Sequence, residues 1–239
     1  MLAALKNNKP FQLVIISYFL GFGRQMAMGI QVQSATVILG SQNLVAVLGI
    51  VTAVGSMISM ALCPLLIKKL NERNAYILLS VYGFAASIFS FAVGHFWFKN
   101  PESTVLTVLF YASLFLIGLQ FGAVTLMPMI MTADTVDYYE YETGKRMEGA
   151  CYSILTLTIK VCLALGTAVG LIFVQKSGYY EALSTGSFTT GTKDIIFFAY
   201  TALPGILALL SIVPMFKYDI VGEKKANISN ALAARRSAE

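Results

Sequence analysis

Charged residues are scarce in this sequence, and that scarcity decides its structural class. Asp, Glu, Lys and Arg make up 12% of the 239 residues, whereas hydrophobic residues make up 57% and the mean hydropathy is +0.72. A soluble domain carries about 25% charged residues. The composition therefore excludes an ordinary soluble protein and predicts an all-α membrane protein that crosses the bilayer several times. In this context the net charge of +5 does not indicate nucleic-acid binding, and the lipid bilayer is the expected partner.

Cysteine and histidine are also rare. The three cysteines, Cys63, Cys151 and Cys162, fall inside apolar runs and show neither metal-ligand nor disulfide spacing. One histidine cannot form a histidine cluster, and the apolar runs contain no paired acids and no Ser–His pair. The sequence therefore predicts no enzymatic activity, no metal site and no organic cofactor.

Long apolar runs are abundant, and a transmembrane helix needs roughly 20 such residues. The sequence predicts six transmembrane helices within a bundle that occupies residues 1–216. The predicted spans are 11–39, 44–67, 75–96, 104–132, 149–174 and 195–216. A polar, basic tail at 217–239 follows, and we expect it to be disordered and cytoplasmic, close to anionic lipid.

The distribution of Lys and Arg predicts the orientation. If the N-terminus is cytoplasmic, twelve of the 17 Lys and Arg residues lie in cytoplasmic segments and three lie in outer segments. Cytoplasmic loops of membrane proteins carry such an excess. We therefore expect both termini in the cytoplasm, and insertion into a plasma (inner) membrane.

Acidic residues are absent from the middle of every predicted span, but two cations lie there. Arg24 and Lys160 are each far from the ends of their spans. A charge near the centre of a bilayer costs at least a few kcal/mol, so it usually faces protein or a water-filled path. If these cations pair with acids, the acids come from another part of the protein.

The fifth span carries a polar stripe at helical spacing. Helix packing, helped by Gly166 and Gly170, would explain the hydroxyl groups. Packing alone rarely requires a lysine, which favours a role for Lys160 in a pathway or an ion pair. The stripe comprises Ser153, Thr156, Lys160 and Thr167.

The first and fourth spans contain further polar candidates. Arg24 lies roughly 18 Å along the helix from either end, too far for easy snorkelling, so we expect it to face a cavity together with Gln31. Both side chains can donate to hydroxyl or carboxylate groups of a ligand. Thr125 lies near Pro128, which predicts either a simple bend or a hinge.

A dense block of charge follows the fourth span. Its residues could form ion pairs that close the cytoplasmic side of a transporter and break when it opens. They could equally form a solvated loop, because surface ion pairs contribute little. The spacing alone leaves both interpretations open. The block contains Asp134, Asp137, Glu140, Glu142, Lys145, Arg146 and Glu148.

Residues 132–160 resemble a family signature. They are similar to the glycoside–pentoside–hexuronide cation symporters, the melibiose-carrier group of the major facilitator superfamily. The matching positions are Ala133-Asp134, Asp137-Tyr138, Glu140, Arg146, Glu148, Tyr152-Ser153 and Lys160. Two departures occur, since Tyr139 replaces the usual glycine and Thr125 stands where melibiose carriers have tryptophan. The second departure argues against melibiose itself and leaves other glycosides, pentosides and uronides open.

The resemblance implies a sugar transporter coupled to Na⁺ or H⁺ that works by alternating access. It places Lys160 and Thr156 at the central cavity, and Asp134, Asp137, Glu140 and Arg146, with the neighbouring Glu148, in a cytoplasmic gate. Such carriers have twelve helices in two halves, and this chain resembles helices seven to twelve.

The cation-binding aspartates of that family belong to the first half. We therefore expect an N-terminal six-helix half as a partner, either in a longer chain or encoded separately. A six-span assembly partner or sensor that does not transport is the alternative.

Overall fold

The computed structural model describes residues 6–237, and every regular element in that part of the chain is helical. The predicted all-α class is confirmed. The first five residues of the predicted bundle and the last two of the predicted tail lie outside the described range. The helices are α1 (Lys9–Leu20), α2 (Gly23–Gly29), α3 (Gln31–Leu39), α4 (Val45–Lys99), α5 (Thr104–Thr143), α6 (Glu148–Lys176), α7 (Tyr179–Thr185), α8 (Thr190–Phe197), α9 (Leu203–Leu210), α10 (Ile212–Met215) and α11 (Gly222–Ser237).

The first predicted span is divided into α1, α2 and α3. Helix α1 starts two residues before that predicted span and is capped by Asn8, whose side chain accepts a hydrogen bond from the Phe11 amide and donates one to the Thr135 carbonyl oxygen at 2.8 Å. Pro10 occupies the first turn of α1, where its missing N–H costs nothing. The chain then bends by 51° between residues 9–29 and α3. Arg24 therefore lies on a short helix of its own, α2, within this broken segment.

Helix α4 has 55 residues and would extend about 80 Å if it were straight, far beyond the roughly 30 Å of a bilayer core. The backbone is not helical at Asn71, where φ is 63° and ψ is 168°. This position lies between the second and third predicted spans. Asn71 therefore divides α4 into two arms.

Both arms of α4 pack against α5, but in opposite directions. Along the first arm, the residue numbers of the contacting pairs rise together in both helices. Ser56 Oγ donates to the Gly118 carbonyl oxygen, and Ser59 Oγ accepts from the Ala123 amide. Along the second arm, the residue numbers rise in α4 while they fall in α5. Tyr82 Oη donates to the Leu116 carbonyl oxygen, and Ser113 Oγ donates to Ser90 Oγ. The chain therefore reverses direction at Asn71.

Helix α5 continues through Pro128 and ends at Gly144, which has the positive φ of 69° that favours glycine. It extends eleven residues past the predicted end of the fourth span at residue 132. Asp134, Asp137 and Glu140 therefore lie on a helical extension, and only the end of the charged block forms a connection to α6.

Four helices in the described part of the chain are long and apolar enough to cross a membrane, or five if the bent pair at the first span counts as one. Among these candidate spans, α4 is counted as one helix although it has two arms. The last of them covers residues 190–215, and α8, a π-helical turn (Phe198–Ala202), α9 and α10 follow one another there. The predicted number of six would require each arm of α4 to cross separately.

The predicted disorder of the tail is wrong for residues 222–237. These residues form α11, and its Ile228 and Leu232 side chains are buried in the same hydrophobic cluster as Met127 and Tyr218. The spacing of four residues places both side chains on one face of a helix. Two apolar residues within a polar stretch were too weak a signal to predict this helix.

Candidate substrate site and charge clusters

An open cavity of about 430 Å³ lies along the first half of α6. We call it the Lys160 groove. Lys160, Thr156 and Ser153 are all exposed there, so the structure brings these three predicted residues together on one face. Ser153 Oγ donates to the Gly149 carbonyl oxygen, a bond within the helix. The groove is lined by Gly149, Tyr152, Ser153, Thr156, Leu157 and Lys160.

Lys160 has no ion-pair or hydrogen-bond partner among residues 6–237. Its ammonium group is therefore available to a group outside the described bundle. An unpaired cation on an apolar helix needs water, a ligand or a partner acid when the helix lies in a membrane.

The second half of the predicted stripe behaves differently. A Cβ atom on Gly29 would lie 2.4 Å from Thr167 Oγ1, and one on Gly166 would lie 2.6 Å from the Met26 amide nitrogen. Helices α2 and α6 therefore touch backbone to backbone. Helix packing therefore accounts for Thr167, whereas Ser153, Thr156 and Lys160 are exposed and take no part in this helix contact.

Arg24 and Thr125, predicted independently on the first and fourth spans, meet in the structure. Arg24 Nη1 donates to Thr125 Oγ1 at 3.3 Å, and the guanidinium group lies 5.0 Å from the centre of the Tyr18 ring. Arg24 is 8% exposed. Gln31 does not join this pair, because its side-chain amide lies over Gly49 of α4 instead.

A buried polar pair that the sequence did not single out, Gln25 and Tyr18, lies beside Arg24. Gln25 Nε2 donates to Tyr18 Oη at 2.7 Å, and the other side-chain atom, Gln25 Oε1, is buried without a partner among the described residues. The adjacent polar residues Arg24 and Gln25 within an apolar run were the available signal. Tyr18 could not be singled out, because tyrosine is common in this sequence.

Four of the five predicted gate residues form one exposed group, which we call the Arg146 cluster. The Arg146 guanidinium contacts Asp137 at 3.1 Å, Glu140 at 2.7 Å and Glu148 at 2.9 Å. Hydrogen bonds to Glu140 and Glu148 raise the pKa of Arg146 above its ordinary value. Arg236 of α11 adds a second cation, 3.1 Å from Glu140. This cluster ties the end of α5 to the start of α6 and to α11.

Asp134, the fifth predicted gate residue, lies apart from that cluster. It is 8% exposed and 2.8 Å from the ammonium group of Lys225, which also lies 2.5 Å from Glu72. Glu72 is 4% exposed. We call these three residues the Lys225 triad. Burial alone would lower the pKa of Lys225, but the hydrogen bonds to Asp134 and Glu72 outweigh it and raise that pKa.

The triad joins three distant segments: the turn of α4, the extension of α5 and the tail helix α11. Nothing in the local sequence around Glu72 or Lys225 predicted their meeting, since 153 residues separate them.

These features define an integral membrane protein with an open polar groove and clustered charges at one end. The chain belongs to the MFS/sugar transport protein family, whose family model matches residues 1–222. The resemblance seen in residues 132–160 is thereby confirmed.

Several curated relatives cover most of the chain. It is similar to the glucuronide carrier protein homolog of Escherichia coli, with 25% identity over 93% of this chain and 47% of that protein. It is also similar to the uncharacterized symporter YnaJ of Bacillus subtilis, with 24% identity over 95% of this chain and 47% of that protein. The inner membrane symporter YicJ of E. coli is 28% identical over 52% of this chain and 29% of that protein. The chain therefore spans about half the length of the curated relatives that it matches over most of its own length.

Proposed function

We propose that this chain forms the C-terminal half of a sugar symporter driven by Na⁺ or H⁺. An N-terminal six-helix half, in the same longer chain or separate, would complete the carrier. The observation that carries the proposal is Lys160: it is exposed in an open groove beside Ser153 and Thr156, without an acidic partner among the described residues. Two such halves enclose the substrate between them in carriers of this architecture.

The proposal includes six membrane crossings. The reversal of the chain at Asn71 supports it, because each arm of α4 then has the length of one span. With the broken first span, the two arms, α5, α6 and the last apolar segment, the bundle has six crossings. The excess of Lys and Arg supports cytoplasmic termini and insertion into an inner membrane.

We infer an acidic sugar as the substrate. Arg24 and Lys160 lie within predicted spans, where no acidic residue balances them. A uronide carboxylate would supply the missing negative charge, and Ser153 and Thr156 offer hydroxyl groups for hydrogen bonds to a sugar ring. The similarity to a glucuronide carrier homolog supports the same class.

Lys160 could instead pair with a cation-site acid in the other half, and substrate choice separates the two roles. If Lys160 binds the substrate carboxylate, its removal affects a glucuronide far more than the matching glucoside. If Lys160 pairs with an acid of the carrier, both substrates are affected alike. Either outcome retains the sugar-symporter proposal and assigns the lysine.

The Arg146 cluster is proposed as part of the cytoplasmic gate. Arg146 bridges α5 and the start of α6, and Arg236 brings α11 to the same acid, Glu140. Separation of these helix ends would break several ion pairs at once, which provides two alternative arrangements of charge. No feature of residues 6–237 favours the non-transporting alternative over this role.

The decisive experiment measures uptake of 4-nitrophenyl glucuronide and 4-nitrophenyl glucoside into membrane vesicles that contain both halves. Imposed Na⁺ and pH gradients identify the coupling ion. Lys160→Ala should lower glucuronide uptake at least tenfold, whereas Lys176→Ala, an exposed lysine at the other end of α6, should leave it unchanged. Absence of gradient-driven uptake of either sugar, or full uptake by Lys160→Ala, would contradict the proposal.

A further inference from the structure

A second cavity, of about 660 Å³, lies between the two arms of α4 and the adjoining face of α5. We call it the leucine groove. Its walls include Leu62, Leu66, Leu78 and Leu119, and Tyr82 lies among them. Leu62 and Leu78 are about half exposed, at 53% and 49%. The groove is therefore open to the surroundings of the bundle along an apolar wall.

The leucine groove faces away from the candidate substrate site. Ala123 of α5 lines it, whereas Thr125 of the same helix contacts Arg24. Two residues correspond to about 200° around a helix, so these side chains lie on opposite faces of α5. The leucine groove therefore belongs to the outer surface of the bundle.

One end of the leucine groove is basic. Lys69 lines it and also lines a neighbouring polar cavity at the Asn71 turn, together with Lys68 and Asn74. Both lysines are exposed, and neither forms an ion pair within the described part of the chain. Glu72 also lines the polar cavity, but it pairs with Lys225 and not with either of these lysines. Two lysines without an ion-pair partner among the described residues, Lys68 and Lys69, thus lie at one end of the apolar leucine groove.

We propose that the leucine groove binds an anionic phospholipid. An acyl chain lies between the leucines, and the headgroup phosphate contacts Lys68 and Lys69. The arrangement of apolar walls and a basic end matches the two parts of such a lipid, and basic pockets between transmembrane helices on the cytoplasmic side bind acidic headgroups. The site is separate from sugar transport and does not depend on which sugar is carried.

The test uses the purified full chain in detergent and native mass spectrometry with dioleoyl phosphatidylglycerol or dioleoyl phosphatidylcholine. We expect tighter binding of phosphatidylglycerol. The double variant Lys68→Gln/Lys69→Gln should lower the affinity for phosphatidylglycerol roughly thirty-fold, because it removes two favourable interactions with the anionic headgroup that contribute about equally. The control Lys99→Gln/Lys176→Gln removes two other lysines that form no ion pair among the described residues, and should keep wild-type affinity.

A second variant tests the acyl chain separately. Leu78→Trp fills the groove without changing charge and should weaken binding of phosphatidylglycerol, while soluble glycerol 3-phosphate should not compete with the lipid. Equal binding of the two lipids, unchanged affinity in the lysine variant, or competition by glycerol 3-phosphate would overturn the proposal. So would a dimer that the Leu78→Trp variant dissociates, since a second copy of the chain would then cover the groove.

Discussion

The ammonium group of Lys225 lies 2.8 Å from the carboxylate of Asp134, a buried residue at the far end of α5. The contact links the tail helix to the membrane bundle, because Lys225 belongs to α11. Two carboxylates, those of Asp134 and Glu72, share this one ammonium group. The tail is thus held by charge at Lys225, as it is at Arg236, and by the buried side chains of Ile228 and Leu232.

Lys225→Ala should lower the free energy of unfolding by about 3 kcal/mol, because it leaves two buried carboxylates without a cation. Lys224→Ala is the matched control: the neighbouring Lys224 pairs with the exposed Asp219, and such a pair contributes about 0–1 kcal/mol. Thermal unfolding in detergent measures both variants. Equal losses in the two variants would show that the triad does not hold α11.

Gly166→Ala should destabilise the protein by about 1–3 kcal/mol, since a Cβ there would lie 2.6 Å from the Met26 amide nitrogen and would force α2 and α6 apart. Gly149→Ala, in the same helix, meets no atom within 4 Å and should be neutral or slightly stabilising. Melting temperatures of the two variants provide the comparison. A Gly166→Ala variant as stable as the wild type would mean that the two helices are not in close contact.

The two intramembrane cations should differ in their effect on stability. Arg24→Ala removes a hydrogen bond to Thr125 and a contact with the Tyr18 ring, so we expect a loss of about 2 kcal/mol. Lys160→Ala should change the stability by less than about 0.5 kcal/mol, because its exposed side chain has no described partner. Unfolding of both variants in the same detergent tests this contrast, and a large loss for Lys160→Ala would indicate a structural role instead of a functional one.

The Arg146 cluster should be sensitive to salt. Arg146→Ala removes three exposed ion pairs and should lower stability by at most about 1 kcal/mol at low ionic strength. The difference from wild type should vanish in about 1 M potassium chloride, where the Debye length is about 3 Å. Lys145→Ala, which lacks an ion pair in the described structure, is the control. A loss that persists at high salt would show that Arg146 acts through packing.

The sequence predicted the class, the family and most of the candidate site residues because those signals are local. Lys160, Thr156 and Ser153 share a face through simple helical spacing, and the groove confirms that they lie together. For Arg24 and Thr125, the sequence predicted only that both polar side chains would face away from lipid, and not that they would contact each other. Which of them would touch depended on how α2 crosses α5, and helix crossing is set by packing between distant segments.

What the sequence did not predict has the same origin. The tail helix was missed because Ile228 and Leu232 are recognisable as buried residues only against the surface formed by Met127 and Tyr218. Asp134 and Asp137 are three residues apart on α5, yet the small rotation between them directs one carboxylate to Lys225 and the other to Arg146. Helical spacing predicts a shared face, but not which partner each side of that face will meet.

The three residues of the Lys225 triad are synthesised at different times, and this affects the charge of the growing chain. Translation produces Glu72 and then Asp134 well before Lys225, so the nascent bundle carries two acids that lack their cation until residue 225 has been made. A polypeptide that stops short of residue 225 keeps both carboxylates uncompensated and the surface beneath α11 uncovered. A nascent chain that has reached α11 therefore differs in charge and in exposed apolar surface from one that was interrupted before it.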